Sequence, residues 1–169
     1  WNGFLAVALF RAGHVFGNAR YTQEAVNILD FLDRNLLDFS TDGDELYFHR
    51  YCDGDTLKIS FLDDQSYVMW ALIEAYATTL NSDYLQKLEK LFKVTQSKFG
   101  DSAAPGMYLT PEKQEVIVTR TKEVYDGAHP SGSAVYYYAA ILFGRLTRSD
   151  TLLKDIEVQL EKLSSEFIY

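Results

Sequence analysis

The feature that most limits what this chain can fold into is a set of helical segments that are apolar on every side, each followed by one that is apolar on one side only. From Trp1 to Phe16, apolar residues at 1, 4, 5, 8, 9, 12, 15 and 16 give the helical period, and Val7 and Phe10 make the opposite side apolar too. After Asp63 and Asp64, the residues Val68, Met69, Leu72, Ile73, Tyr76 and Leu80 fall at helical spacing, while Trp70, Ala71 and Ala75 leave little of the far side polar. A third segment of this kind opens at Ser131 and runs through Ala134 to Phe143. Helices of this composition need neighbours on both flanks and a layer outside them.

That outer layer is also legible. Gly17 and Asn18 break the first helix, and from Tyr21 the apolar residues Ala25, Ile28, Leu29, Leu32 and Leu36 oppose Gln23, Glu24, Asn27, Asp30, Asp33 and Arg34. After Asn81-Ser82-Asp83, the apolar set is Tyr84, Leu85, Leu88, Leu91, Phe92 and Phe99; after Arg148-Ser149-Asp150 it is Leu152, Leu153, Ile156, Leu160, Leu163 and Phe167. Tyr21, Tyr84 and Thr151 hold equivalent places in the three outer helices, a period of roughly 65 residues. Polar excursions precede the second and third inner helices. One is the strand-like segment from Glu45 to Leu57, closed by Asp53-Gly54; the other comprises Gly106 to Leu109 and the β-leaning stretch from Glu115 to Gly127. The expected fold is therefore all-α. Three helical hairpins over residues 1–169 form one partial domain, an arc of about half an (α/α)6 toroid, with short β-like excursions between hairpins.

Composition narrows the function. A net charge of −8 without a Lys or Arg cluster argues against nucleic acid and anionic membranes as partners. The lone Cys52 has no CxxC companion and no disulfide partner, which fits a reducing, cytoplasmic setting. The longest apolar run, Ala134 to Phe143, is too short to span a bilayer. No HxH or HExxH spacing joins any two histidines, so neither a metal nor another cofactor is expected. The chain opens at Trp1 with its helical pattern under way and reads as part of a longer protein.

Inner helices of a toroid all begin at one mouth, so Trp1 and Asn2, Asp63 and Asp64, and Ser131 would meet there, joined by Asp126 and His129 from the excursion. Carboxylates at such a rim suit general acid and base work on sugars, and the rings of Trp1 and Tyr67 suit stacking on pyranoses. The catalytic candidates are thus Asp63, Asp64, Asp126 and His129; the substrate-binding candidates are Trp1, Asn2, Tyr67, Ser131 and Arg50. Adjacent side chains point in different directions, so the partner of Asp63 or Asp64 would be a distant acid such as Asp126. The plainer reading makes Asp63 and Asp64 helix caps, His129 a hydrogen-bonding rim residue, Arg50 and Arg120 solvated surface, and Tyr136-Tyr137-Tyr138 core packing with one phenol reaching a central cavity.

Three elements carry a resemblance: Trp1-Asn2-Gly3, Leu62-Asp63-Asp64, and Tyr125-Asp126-Gly127-Ala128-His129-Pro130-Ser131-Gly132. At these separations they resemble the helical region of the thioredoxin-domain-containing DUF255 family. The resemblance covers essentially the whole chain. It implies an (α/α)6 toroid similar to six-hairpin glycosidases and N-acylglucosamine 2-epimerases, preceded in the intact protein by a thioredoxin-like domain that this sequence lacks. Two positions depart from the family pattern. Asp64-Gln65-Ser66-Tyr67 follows the first acid where DYA is usual, and Ser133 stands in place of an asparagine after PSG. The resemblance implies a carbohydrate-related cleft, sugar-isomerising or glycosidase-like, in the intact toroid. Its competitor is a non-catalytic scaffold or partner-binding module of a thioredoxin-domain protein. An open arc would also expose apolar ends and self-associate.

Overall fold

A computed structural model describes residues 1–39, 46–49, 51–53, 55–57, 59–112 and 119–166. Six helices dominate it: α1 (Asn2–Phe16), α2 (Ala19–Asn35), α3 (Leu62–Thr79), α4 (Ser82–Phe99), α5 (Gly132–Thr147) and α6 (Asp150–Glu166). The turns within each hairpin follow one design. The inner helices α1, α3 and α5 end on left-handed residues, Gly17 (φ 60°), Leu80 (φ 56°) and Arg148 (φ 54°). A polar side chain then opens the outer helix. Asn18 accepts from Arg20 N and Asn81 from Asp83 N, both at 3.0 Å, and Ser149 Oγ accepts from Leu152 N at 3.4 Å.

α3 lies between α1 and α5, while α2, α4 and α6 each pack on the inner helix that precedes them. The aromatic ring of Phe92 in α4 stacks on Tyr136 of α5 at 5.6 Å and meets Phe143 at 5.5 Å. Outer helices α2 and α4 are joined by the ion pair of Asp33 and Lys87. As the apolar pattern requires, the inner members are the more buried, most of all α3, where Leu62, Tyr67, Val68, Met69, Ala71, Leu72, Ile73 and Ala75 are all enclosed. Two glycines set the spacing between inner helices. A Cβ on Gly3 would lie 2.9 Å from the Tyr67 carbonyl carbon, and one on Gly132 would lie 2.8 Å from the Asp63 nitrogen, so both helix pairs touch backbone to backbone at their first turns.

The first excursion is two antiparallel ladders rather than one strand-like segment. β1 (Leu37–Phe39) pairs with β2 (Leu46–Phe48), and β3 (Tyr51–Asp53) pairs with β4 (Asp55–Leu57). Gly54 of the expected turn lies outside the described residues. Gln65, fully buried in α3, fastens this excursion to the inner layer: its Oε1 accepts from Phe48 N at 2.8 Å and its Nε2 donates to Phe48 O at 2.7 Å. Ser60 Oγ donates to the same carbonyl at 2.6 Å. A buried amide that satisfies both backbone groups of one residue acts as a strand partner supplied by a side chain.

The second excursion reaches the same helix from the other direction. Leu62 N donates to Leu109 O at 2.9 Å, and Leu109 N to Thr121 O at 2.7 Å. Arg120, expected on the solvated surface, instead donates to the carbonyls of Thr110 and Lys98 and lies 3.9 Å above the Tyr108 ring. Its several N–H donors let one side chain tie the excursion, at Thr110, to the end of α4, at Lys98. Beside it, Lys122, the Ala103 N–H and the Tyr108 hydroxyl hold the Asp101 carboxyl well below the usual carboxylate range. Residues 113–118, part of the expected β-leaning stretch, lie outside the described residues.

Candidate functional site at the inner-helix rim

The first turn of α3 places both acids, two and three residues past the cap position. The residue before the helix is Phe61, in extended conformation, so Asp63 and Asp64 are the second and third helical residues. This corrects the capping expectation in detail: Asp64 Oδ2 reaches back to accept from Phe61 N at 3.1 Å, the acidic half of a capping box. Asp63 faces α5, with its Oδ1 where a Cβ on Gly132 would stand. Both charges oppose the positive end of the helix dipole.

Around them the rim assembles from three stretches of sequence. Trp1, Asn2, Asp63, Asp64, Tyr67 and His129 line one cleft of about 300 Å³. Tyr67 is its floor. Its hydroxyl donates to Pro130 O at 2.5 Å and lies 2.9 Å from His129 Nδ1, which is itself 3.0 Å from Pro130 O. The phenol oxygen, Nδ1 and the Pro130 carbonyl thus form one triangle of polar atoms that fixes the imidazole ring against Tyr67. Burial, then the negative charges of Asp63 and Asp126, push the Tyr67 hydroxyl up to about 12. Tyr67 is thus a neutral hydrogen-bonding group at ordinary pH. Trp1, 77% exposed, sets its ring edge-on to His129 at 5.2 Å, and Phe4 stacks on Tyr67 at 5.3 Å.

Two expected members of the site stand slightly apart. Asp126 is exposed and outside the cleft lining; its Oδ1 accepts from Ser131 N at 2.8 Å, although its charge still reaches Tyr67. Ser131 is the N-cap of α5, its Oγ accepting from Ala134 N at 3.2 Å, and it is 4% exposed. Arg50 lies outside the described residues. Among the described residues no three His, Cys, Asp or Glu side chains cluster as a metal site, and no helix is long and apolar enough to cross a membrane.

No protein-family model matches the sequence. Among curated proteins, spermatogenesis-associated protein 20 of Rattus norvegicus is 28% identical over 145 residues, spanning 80% of this chain. The chain is similar to spermatogenesis-associated protein 20 over that span. It spans 18% of the length of that rat protein. In three dimensions it is similar to six-hairpin sugar-active proteins. An α-1,6-mannanase of Salegentibacter sp., solved with α-1,6-mannotriose as an inactive variant in which two consecutive aspartates are asparagine, matches with TM-score 0.76 at 12% identity, over 96% of this chain and 45% of that one. A cellobiose 2-epimerase from Bacillus thermoamylovorans matches with TM-score 0.72 at 18% identity, over 95% of this chain and 42% of that one. The chain is an arc of the (α/α)6 toroid.

In this chain the WNG and PSG elements have a physical reading that motif inspection missed. Gly3 and Gly132 are where α1 and α5 touch α3, and those contacts bring the acids to the rim. Sequence reasoning also passed over Arg11, Trp70 and Glu74, which meet on the inner layer. The signal was present: Arg11 is the one Lys or Arg in α1, and Glu74 is the one charge of α3 beyond its first turn.

Proposed function

We propose that the rim cleft binds a sugar and that, in the whole protein, it acts on the glycosidic bond or anomeric centre. The observation that carries this reading is the convergence of Asp63 and Asp64, at the start of the most enclosed helix, on a cleft walled by Trp1, Tyr67 and His129. A half-enclosed carboxyl beside stacking rings is the equipment of glycoside chemistry, in which one acid protonates the leaving oxygen and a second carboxylate supports the opposite face. Asp63 is assigned the acid–base role and Asp64 the ordering of the first turn through Phe61 N, while Asp126, outside the cleft lining, contributes through its charge at Tyr67. His129, fixed by Tyr67, offers a ring nitrogen to a sugar hydroxyl, while Trp1 and Asn2 hold the ring. The mannanase whose inactive variant has two consecutive aspartates replaced by asparagine supports an adjacent acid pair as functional equipment of this fold.

The test separates enzyme from scaffold. In the full-length protein, Asp63→Asn and Asp64→Asn are each expected to leave the melting temperature nearly unchanged, since asparagine still offers an acceptor at the helix start and only about 0.3 to 1 kcal/mol of charge–dipole energy is lost. Turnover of α-1,6-mannotriose or cellobiose is expected to fall on the order of a hundredfold or more in at least one variant. Equal activity in both variants and the wild type removes the pair from the mechanism. A wild type that turns over neither sugar favours the scaffold.

A further inference from the structure

The aromatic contacts of the inner layer do not end at Tyr67. Phe4, already stacked on Tyr67, lies 5.9 Å from Trp70, and Trp70 meets Tyr138 of α5 edge to face at 5.2 Å. About two turns along α3 from the acids, these rings carry on from Tyr67 across all three inner helices. An ion pair stands among them. Arg11 Nε and Nη2 both donate to Glu74 Oε1, at 2.9 and 2.7 Å, and the Trp70 Nε1–H donates to the same oxygen at 3.1 Å. The guanidinium sits 5.0 Å over the Trp70 ring and beside the Tyr138 hydroxyl, and hydrogen bonding to Glu74 raises its already high pKa. Tyr138 is 41% exposed and the Arg11 side chain 49%.

This cluster asks for more than helix packing. α1 is already held to α3 through Gly3 and the apolar core, and an ion pair this open adds little to stability. Three donors on one carboxylate oxygen fix the Glu74 side chain. The aromatic faces beside it offer C–H stacking, and the guanidinium offers further planar N–H donors. Flat rings joined to fixed acceptors and donors are what a sugar ring requires: apolar C–H patches on its faces, hydroxyls around its edge.

We propose that Arg11, Trp70, Glu74 and Tyr138 form a second sugar station, deeper on the same inner-helix wall as the rim cleft, that holds a further ring of an oligosaccharide. The inference rests on the sugar-binding reading of the rim and adds to it that the ligand is longer than one ring.

Chain-length dependence tests it. With the full-length protein, calorimetry would measure binding of mannose against α-1,6-mannotriose and of glucose against cellotriose, for the wild type, Tyr138→Ala and Glu74→Gln. The wild type is expected to bind one trisaccharide more tightly than its monosaccharide. Tyr138→Ala is expected to reduce trisaccharide affinity about tenfold and leave the monosaccharide unchanged, the size of one stacking contact. Glu74→Gln, which keeps the acceptor oxygen but weakens its hold on Arg11, is expected to act in the same direction. If the wild type binds a monosaccharide but no trisaccharide more tightly, or if both variants bind trisaccharide as the wild type does, the second station is overturned and the rim reading stands. If the wild type binds none of the four sugars, both fail together. Thermal melts within about 2 °C of the wild type would show that the variants remain folded.

Discussion

α1 is the more apolar of the pair in sequence, yet α3 is enclosed and α1 is not. α3 has α1 on one flank, α5 on the other and α4 outside, and Met69, Ala71, Leu72 and Ala75 are at or near zero exposure. α1 has α3 and α2, and among the described residues no helix covers its remaining side, so Leu5, Val15 and Phe16 are 49%, 73% and 72% exposed. An apolar face states what a helix requires of its surroundings; only the neighbours decide whether the requirement is met. The same difference divides the rim. Asp63 and Asp64 on α3 are flanked by helix starts on both sides, whereas Trp1 on α1 projects into solvent.

The sharpest way to break the comparison is to remove equal side chains from both helices. Leu72→Ala is expected to cost about 2 to 5 kcal/mol by leaving a cavity, and Leu5→Ala well under about 1 kcal/mol, both read from denaturant midpoints. Similar losses would mean that α1 is as enclosed as α3. That bare flank is also expected to drive self-association of the isolated arc, lessened by Leu5→Lys with Phe16→Ser. Light scattering that finds a monomer at high concentration without those changes would contradict it.

Next in size are the two contacts that give α3 its neighbours. Gly132→Ala and Gly3→Ala each force a methyl group against backbone and are expected to cost about 1 to 3 kcal/mol. Gly13→Ala, whose nearest obstacle is the movable Thr22 hydroxyl, is expected to cost less. An order with Gly13 first would show that the inner-layer contact is looser than its geometry indicates.

Smaller again is the phenol at the floor of the cleft. The folded pKa of Tyr67, about 12, lies above its ordinary value near 10. Its contribution to stability is therefore complete below pH 10 and is lost as pH rises through 12. Absorbance titration at 295 nm should show one tyrosine, missing from Tyr67→Phe, that ionises about two units late. Ionisation near pH 10 would place the hydroxyl in open solvent.

The least change is expected at a hairpin turn. Leu80 adopts a left-handed conformation at the end of α3 while its side chain is 75% exposed. Leu80→Gly is expected to raise stability by up to about 1 kcal/mol, because glycine removes the steric cost and little packing is lost. Calorimetric melting checks the sign.

What the sequence determined by itself was the periodic information. Residues at helical spacing, apolar all round or on one side, specified six helices, their alternation and the rim at which the inner ones begin, because burial demand is written locally in side-chain type. The residues WNG, DD and DGAHPSG marked the stretches that meet there. What only the tertiary structure decided was how those stretches touch. Gln65, polar in an apolar helix, proved to be a staple to Phe48, and Arg120 proved to be tied into its own excursion. Asp126 turned toward Ser131 N, outside the cleft, and Arg11 met Glu74 across two helices. A polar side chain finds its partner through distances between segments far apart in sequence. Those distances are set by the backbone contacts at Gly3 and Gly132, which no local pattern encodes.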